Sequence, residues 1–414
     1  MVSNSGHNRA RHWFAVFSAC ATLGLILVGG LVTSHGVGMS VPDWPNTYGY
    51  NMFFFPFSKW AGGIFYEHSH RLVASAVGLL TVILAFWLHG RAARKWLRTC
   101  GSVLLLAGIA SWITFPQRWS DAIVLLVTGI AGVSAALVWP GSDPAPKWLR
   151  RLGLIAVVAV ILQGVLGGLR VTQIKDELGI FHATLAQAFF VLMCAIALFT
   201  SRWWSNRSGP QEKSSPEQAH VFRTLTPFYL AATVLILLQL ALGATMRHQH
   251  AGLAIPDFPL AYGKLWPDTN PDSVERYNQQ RLEVVAAHPI TAGQIHLQMT
   301  HRLMALLILA AVTCSVWLTL KRIRGKNFWT ISSWCWAGLI LTQVLLGAAT
   351  IWSDKAADIA TAHVFFGALS LALGSLICIV TIHAAKSIIR IKPAARLVPD
   401  SSQDPFGSQT SAAN

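Results

Sequence analysis

The stretch "YEHSHRLVASAVGLL" (residues 66–80) sets Glu67, His68, His70 and Arg71 directly before a run that is otherwise apolar, and it has a second copy in "QMTHRLMALLILA" (298–310), where His301 and Arg302 recur. Two further pairs follow the same order. "GMSVPDWPNTYGY" (38–50) matches "GLAIPDFPLAYGK" (252–264), and "LQGVLGGLRVTQIKDELGIFHATLAQAFF" (162–190) matches "TQVLLGAATIWSDKAADIATAHVFFGALS" (342–370). Three ordered matches make an internal repeat, and a repeat governs how everything else is read.

The composition is that of a polytopic membrane protein: 53% of the 414 residues are hydrophobic and 12% charged, with a mean hydropathy of +0.49. That balance excludes an ordinary soluble domain. A helix needs about twenty residues to cross the hydrocarbon layer, and such windows fall near 13–34, 69–89, 99–116, 121–139, 151–171, 180–200, 225–245, 297–320, 328–351 and 360–384. The predicted fold class is therefore all-α and polytopic, with about ten spans.

A net charge of +15 invites a nucleic-acid reading, but the basic residues gather in alternate loops. Arg9 and Arg11, then Arg91, Arg94, Lys95 and Arg98, then Lys147, Arg150 and Arg151 set the pattern, which continues at Arg202, Arg207 and Lys213, at 321–326 and in the tail. The positive-inside rule then puts both termini in the cytoplasm and leaves no case for nucleic acid. The first twelve residues are too short for a separate targeting peptide, and a bacterial plasma membrane is expected. The six cysteines lie in or beside apolar segments with no C-x-x-C pair, so neither a disulfide nor a zinc site is expected.

The two halves differ in one respect. His70 and His182 are 112 residues apart and His301 and His363 are 62 apart, so the first half holds 50 extra residues, the length of the two spans over 99–139. Two pseudo-symmetric four-helix transmembrane bundles with an inserted two-helix hairpin follow as the simplest architecture. The expected divisions are a cytoplasmic N-terminus (1–12), an N-terminal bundle (13–202) carrying the hairpin (99–139), a cytoplasmic linker (203–222), a C-terminal bundle (223–385) and a partly disordered cytoplasmic tail (386–414).

His70, His182, His301 and His363 each fall two to four residues inside a predicted span that enters from the outer face, and so at similar depth, about 3 to 6 Å below the boundary. A single histidine near the headgroups is cheap and ordinarily without function. Four at matched depth, two per bundle, are the pattern that holds haem iron from both sides. Gly164, Gly167 and Gly168, with Gly347, Ala348 and Ala349, leave room for a flat ring, although small residues in membrane helices also serve close packing. Arg71 and Arg302 are candidate cations for haem propionates. His35, His68, His248, His250, His288 and His296 are kept as supporting groups, and His89 and His383 have no matched role.

Glu67 aligns with Gln298, so an ionisable group stands three residues before the histidine in the first half alone. Residues three apart share a helix face, and a carboxyl near the membrane interior is a functional candidate. One bundle then specialises in chemistry and the other in electron storage or structure; the alternative is a Glu67 that simply faces headgroups.

The E-x-x-H-R of Glu67 to Arg71, the H-R of His301 and Arg302, the single His182 and His363 and the P-D-W-P of Pro42 to Pro45 together resemble the haem A synthase family of terminal oxidase assembly proteins, from about residue 13 to 385 apart from the hairpin. The resemblance implies two bis-histidine haem sites toward the outer face and oxidation of a haem O methyl group to the formyl group of haem A, in a water-dependent reaction. His70 and His182 become ligands of the substrate haem, Glu67 the catalytic acid, and His301 and His363 the ligands of a haem B. It also implies haem O as substrate and the haem O synthase and oxidase assembly factors as partners, beside membrane lipid, a possible homo-oligomer and an electron donor left open. Some members carry a cysteine pair in the first outer loop; this chain has none there, so no redox role attaches to that loop. The competing readings are a non-catalytic di-haem b cytochrome that relays electrons, which shares the four histidines, and a repeat transporter, disfavoured because the halves keep the same orientation.

Overall fold

The computed structural model describes residues 8–207, 215–280 and 289–386. Among them the chain is helical, with only the isolated bridges Thr47–Tyr50 and Ala261–Lys264. The helices are α1 (Arg9–Ser34), α2 (Gly62–His89), α3 (Ala93–Thr114), α4 (Trp119–Val138), α5 (Lys147–Gln173), α6 (Asp176–Phe199), α7 (Arg202–Arg207), α8 (Pro216–His248), α9 (Pro271–Gln280), α10 (Ala292–Arg322), α11 (Phe328–Trp352) and α12 (Ala357–Lys386). All but α7 and α9 are of spanning length. A 3-10 turn, Gly90–Ala92, joins α2 to α3, so nine continuous helical stretches among the described residues are long and apolar enough to cross a membrane.

Packing joins α1 to α2 and α6, and α5 to α2 and α6, which closes a ring of four; α8, α10, α11 and α12 close a second ring. The rings meet where α12 packs on α1 and α6 and where α6 packs on α8. Apolar side chains on the outside stay exposed, among them Ile113 at 73% and Leu306 at 62%. Each would be worth about 1.5–3 kcal/mol if removed from water, so a hydrocarbon solvent is what this surface fits. The hairpin α3–α4 packs mainly on itself. A Cβ on Gly101 would lie 2.8 Å from the Val133 nitrogen and one on Gly129 2.7 Å from the Leu105 nitrogen, a backbone-to-backbone seam.

Several boundaries differ from the hydropathy windows. Helix α2 begins at Gly62 and α10 at Ala292, so His70 and His301 lie eight and nine residues inside their helices, and His182 and His363 each six inside α6 and α12. The polar first turns escape a hydropathy window, although Thr291 and Gln294 form a capping box. Much of the linker expected over 203–222 is also helical. Residues up to Arg207 form α7, and α8 opens on the Ser215–Gln218 capping box with Pro216 in its first turn. Residues 1–7, 208–214 and 387–414, which hold most of the expected N-terminal segment and tail, lie outside the described residues, as do 281–288 with His288.

Candidate functional site

Each of the four histidines rests on a glycine of a neighbouring helix. A Cβ built on Gly29 of α1 would lie 2.9 Å from His70 Cε1, one on Gly167 of α5 3.2 Å from His182 Cε1, one on Gly243 of α8 3.4 Å from His301 Cε1, and one on Gly347 of α11 3.5 Å from His363 Cε1. At Gly29, and less tightly at Gly167, the imidazole occupies the space a side chain would take; at Gly243 and Gly347 a Cβ would be in ordinary contact with the ring. Three of these glycines follow a glutamine by four residues, and that glutamine anchors the histidine's helix. Gln163 Nε2 donates to the His182 carbonyl at 3.0 Å, Gln239 to that of His301 at 3.0 Å and Gln343 to that of His363 at 2.9 Å. In α1 the matching position is Leu25.

His70 and His182 are close enough to interact electrostatically, and so are His301 and His363. All four rings are half-buried. His182 Nδ1 sits 3.1 Å from the Gln163 carbonyl. With the proton on Nδ1 for that bond, Nε2 carries the lone pair that a metal would take. In His70, His301 and His363 the Nδ1 is buried with no partner. Among the described residues no three His, Cys, Asp or Glu side chains gather as a bare-ion site. The histidines come in twos, and two protein ligands complete an iron whose other four positions a porphyrin fills. The residues present thus fit a bis-histidine haem. Of the other small residues, Gly168 makes room for the Trp44 indole instead, and Gly164 has open space around it.

Glu67, Arg71, Gln298 and Arg302 are brought together with the long loops after α1 and α8. Glu67, 3% exposed, accepts from Val41 N at 2.8 Å with Oε2 and from Arg71 Nη2 at 2.7 Å with Oε1. Arg71 also donates to the carbonyls of Asp43 (2.6 Å), Asn46 (2.9 Å) and Val41 (2.7 Å). The second half repeats the loop amide contact and two of the arginine-to-carbonyl bonds. Gln298 Oε1 accepts from Ile255 N at 2.7 Å, and Arg302 donates to Asp257 O at 2.7 Å and Leu260 O at 2.8 Å. Tyr48 and Tyr262 donate to the carbonyls of Ser40 and Ala254, both at 2.5 Å. Asp43 and Asp257 each cap the two amides that follow in the turn, and both loops hold a cis proline, Pro45 and Pro259.

This corrects one expectation. Four of Arg71's five N–H donors are occupied by the loop and Glu67, so it clamps the loop and has no terminal donor left for a porphyrin carboxylate. Arg302 also holds its loop, but through one donor on each terminal nitrogen, and its Nε is buried and unpaired. Of the supporting histidines, His68 bonds Thr47 through Nδ1 at 3.1 Å and lies between Phe55 and Trp60. His35 stacks on Tyr66 with ring centroids 4.5 Å apart. His248 packs on Gly179 of α6. Two residues that pattern reading passed over, Arg170 of α5 and Arg247 of α8, lie in the same layer, coupled electrostatically to the histidines.

The fold defines a multi-pass, all-helical membrane protein, and its paired histidines give it two candidate cofactor sites. Residues 108–374 match the family model described as cytochrome oxidase assembly protein, and the chain belongs to that family. Among curated relatives, the Heme A synthase of Anaplasma marginale (strain St. Maries) is 29% identical over 229 residues, 53% of this chain and 58% of the relative. The Heme A synthase of Shouchella clausii (strain KSM-K16) is 24% identical over 374 residues, 88% of this chain and 96% of the relative. That of Geobacillus kaustophilus (strain HTA426) is 24% identical over 368 residues, 86% and 87% of the two chains.

Proposed function

We propose that this protein is a haem A synthase, an oxidoreductase that converts a methyl group of haem O to the formyl group of haem A for terminal oxidase assembly. The supporting observation is the fourfold arrangement in which a histidine lies on a glycine of the adjacent helix, twice in each ring of helices. His70 and His182 hold the substrate haem in the first bundle; His301 and His363 hold a haem B in the second. The family and the relatives favour this reading over the electron-relay cytochrome. The bacterial relatives and the alternating basic loops support a bacterial plasma membrane with both termini in the cytoplasm.

Bound haem B supplies one-electron redox capacity; the rest is the work of side chains. The histidine pair fixes the depth and tilt of the substrate ring. Glu67 stands three residues before His70, on the same face of α2. Two of the roughly four acceptor positions of its carboxylate are taken by Val41 N–H and Arg71. The others remain to orient water or take up a proton at the methyl edge, in keeping with a water-dependent reaction. Gln298, by contrast, has both ends of its amide bound to the loop backbone, the nitrogen donating to Gly252 and Ile255 at 3.2 Å each, and offers no proton acceptor.

The test is co-expression with a haem O source under oxygen, followed by mass and absorbance of the extracted haem. A formyl-bearing porphyrin is expected from the wild type and none from His70→Ala or His182→Ala. Wild-type protein that binds haem O and yields no formyl product would leave the relay cytochrome as the function.

A further inference from the structure

The layer that holds the histidines also holds two arginines, Arg170 and Arg247, that form no ion pair with any described carboxylate. Arg170 of α5 is half-buried with its guanidinium against Gly38, where a Cβ would fall 2.8 Å from Nη1. It donates no hydrogen bond and forms no ion pair with any described residue. It is electrostatically coupled to His70, His182, His248 and Arg247, and the acids it senses are Glu67 and Asp176. Glu67 is already bound by Arg71 and Val41 N–H. Arg247 reaches across the junction of the two rings, where Nη2 donates to Gly30 O at 2.9 Å and Ser34 Oγ at 2.8 Å on α1. Its Nη1 and Nε make no such bond.

Position in the repeat sharpens this. Arg170 aligns with Thr350 and Arg247 with Thr33, so each half has one arginine where the other has threonine. Both threonines bond back to their own helices, Thr33 to Gly29 O at 2.6 Å and Thr350 to Leu346 O at 2.8 Å. Each arginine stands three or four residues beyond the glycine that supports a histidine (Gly167 and Gly243), on the loop side of that layer. A guanidinium without a carboxylate partner, packed near the end of a membrane helix, is favoured by an accompanying anion. A porphyrin held by the histidines brings two carboxylates.

We propose that Arg170 and Arg247 form an anion-binding pair at the junction of the two bundles, which receives the carboxylates of the bound porphyrins. Arg170 serves the His70–His182 site and Arg247 the His301–His363 site. This rests on the haem reading above.

The experiment uses the full-length protein purified with the haem it retains. In optical titration the wild type should bind haem O more tightly than its dimethyl ester by about tenfold or more, the worth of a charge-assisted hydrogen bond. Arg170→Gln should abolish that preference and Arg170→Lys retain part of it. In redox titration Arg247→Gln should shift the retained haem to a more negative midpoint, because a nearby cation favours the reduced state. Arg247→Lys should keep the wild-type midpoint. Ser34→Ala, which removes one of the two contacts with α1 but not the charge, should also leave it unchanged. Equal binding of acid and ester by the wild type, or an unmoved midpoint in Arg247→Gln, overturns the inference while leaving the haem sites standing. Wild-type protein that neither retains haem nor binds haem O overturns the haem reading itself.

Discussion

Glu67→Gln separates charge from scaffold, because the second half already shows how a glutamine sits in that position. Gln298 accepts from Ile255 N at 2.7 Å, just as Glu67 accepts from Val41 N at 2.8 Å. The variant therefore keeps the loop amide and loses the contact with Arg71, now 2.7 Å between nearly buried groups. A hydrogen bond to a charged group is worth about 1.5–3 kcal/mol. Arg71 retains three carbonyl acceptors, so a net loss of about 1–2 kcal/mol is expected. Glu67→Ala also leaves the Val41 N–H and one face of Arg71 buried and unpaired, for a loss of about 3–5 kcal/mol. Chemical unfolding in detergent should rank wild type above Gln above Ala, while haem A formation should vanish in both variants. Arg71→Gln breaks the same ion pair with the carboxylate in place and should retain measurable product. Equal destabilisation by Gln and Ala would refute the hydrogen-bond argument. Full activity in Glu67→Gln, or equal loss in Arg71→Gln, would refute the chemical role.

The glycines under the histidines should respond to alanine in order of clearance, 2.9, 3.2, 3.4 and 3.5 Å. Gly29→Ala should displace His70 and cost about 1–3 kcal/mol. Gly347→Ala should be neutral or stabilising by up to about 1 kcal/mol through helix propensity, and the low-spin haem spectrum should follow the same ranking. Gln239→Leu removes the bond to the His301 carbonyl and should lower stability by about 1 kcal/mol with haem retained; the α1 position with Leu25 shows that the histidine is held without it. Gly129→Leu should pry α3 from α4 and raise protease sensitivity in 93–138, while haem content stays at the wild-type level because the hairpin lies outside both rings.

The spans, the duplication and the histidine pairs were legible because each is written in local pattern. Helix starts were not, since α2 and α8 open with polar or small residues that a hydropathy window discards. The capping box at Ser215 and Gln218 was nevertheless present in the sequence. The recurrence of glutamine four residues before glycine at 163–167, 239–243 and 343–347 was readable too; two of its three copies fall within the matched segments, and the third marks α8 as a fellow supporting helix. The loop lattice was beyond pattern reading, because Arg71 looks identical whether it meets a propionate or three backbone carbonyls. Arg170 and Arg247 gave no signal either. Each lacks a counterpart in the other half, and they come together only through the packing of α6 against α8 and of α1 against α12.

The two halves share their loop turns, tyrosine bonds, arginine clamps and glycine cushions, so the scaffold can accept a change of charge without a change of shape. Such changes cluster around the histidine layer. Glu67 replaces the amide of Gln298, Arg170 stands where Thr350 does, and Arg247 where Thr33 does. The first half thereby gains an acid and a base around its histidines, while the second gains a base alone, directed at the junction. A site that only stores an electron needs a fixed counter-charge and no proton acceptor; a site that oxidises a methyl group needs both. The one proton acceptor that distinguishes the first half from the second in this layer is then the Glu67 carboxylate. Installing it in the other half as Gln298→Glu replaces the donor to Gly252 O and Ile255 O with an acceptor, so it should destabilise that loop unless Arg302 shifts to take the new charge as Arg71 takes Glu67, and it should create no second synthase unless haem O reaches that ring.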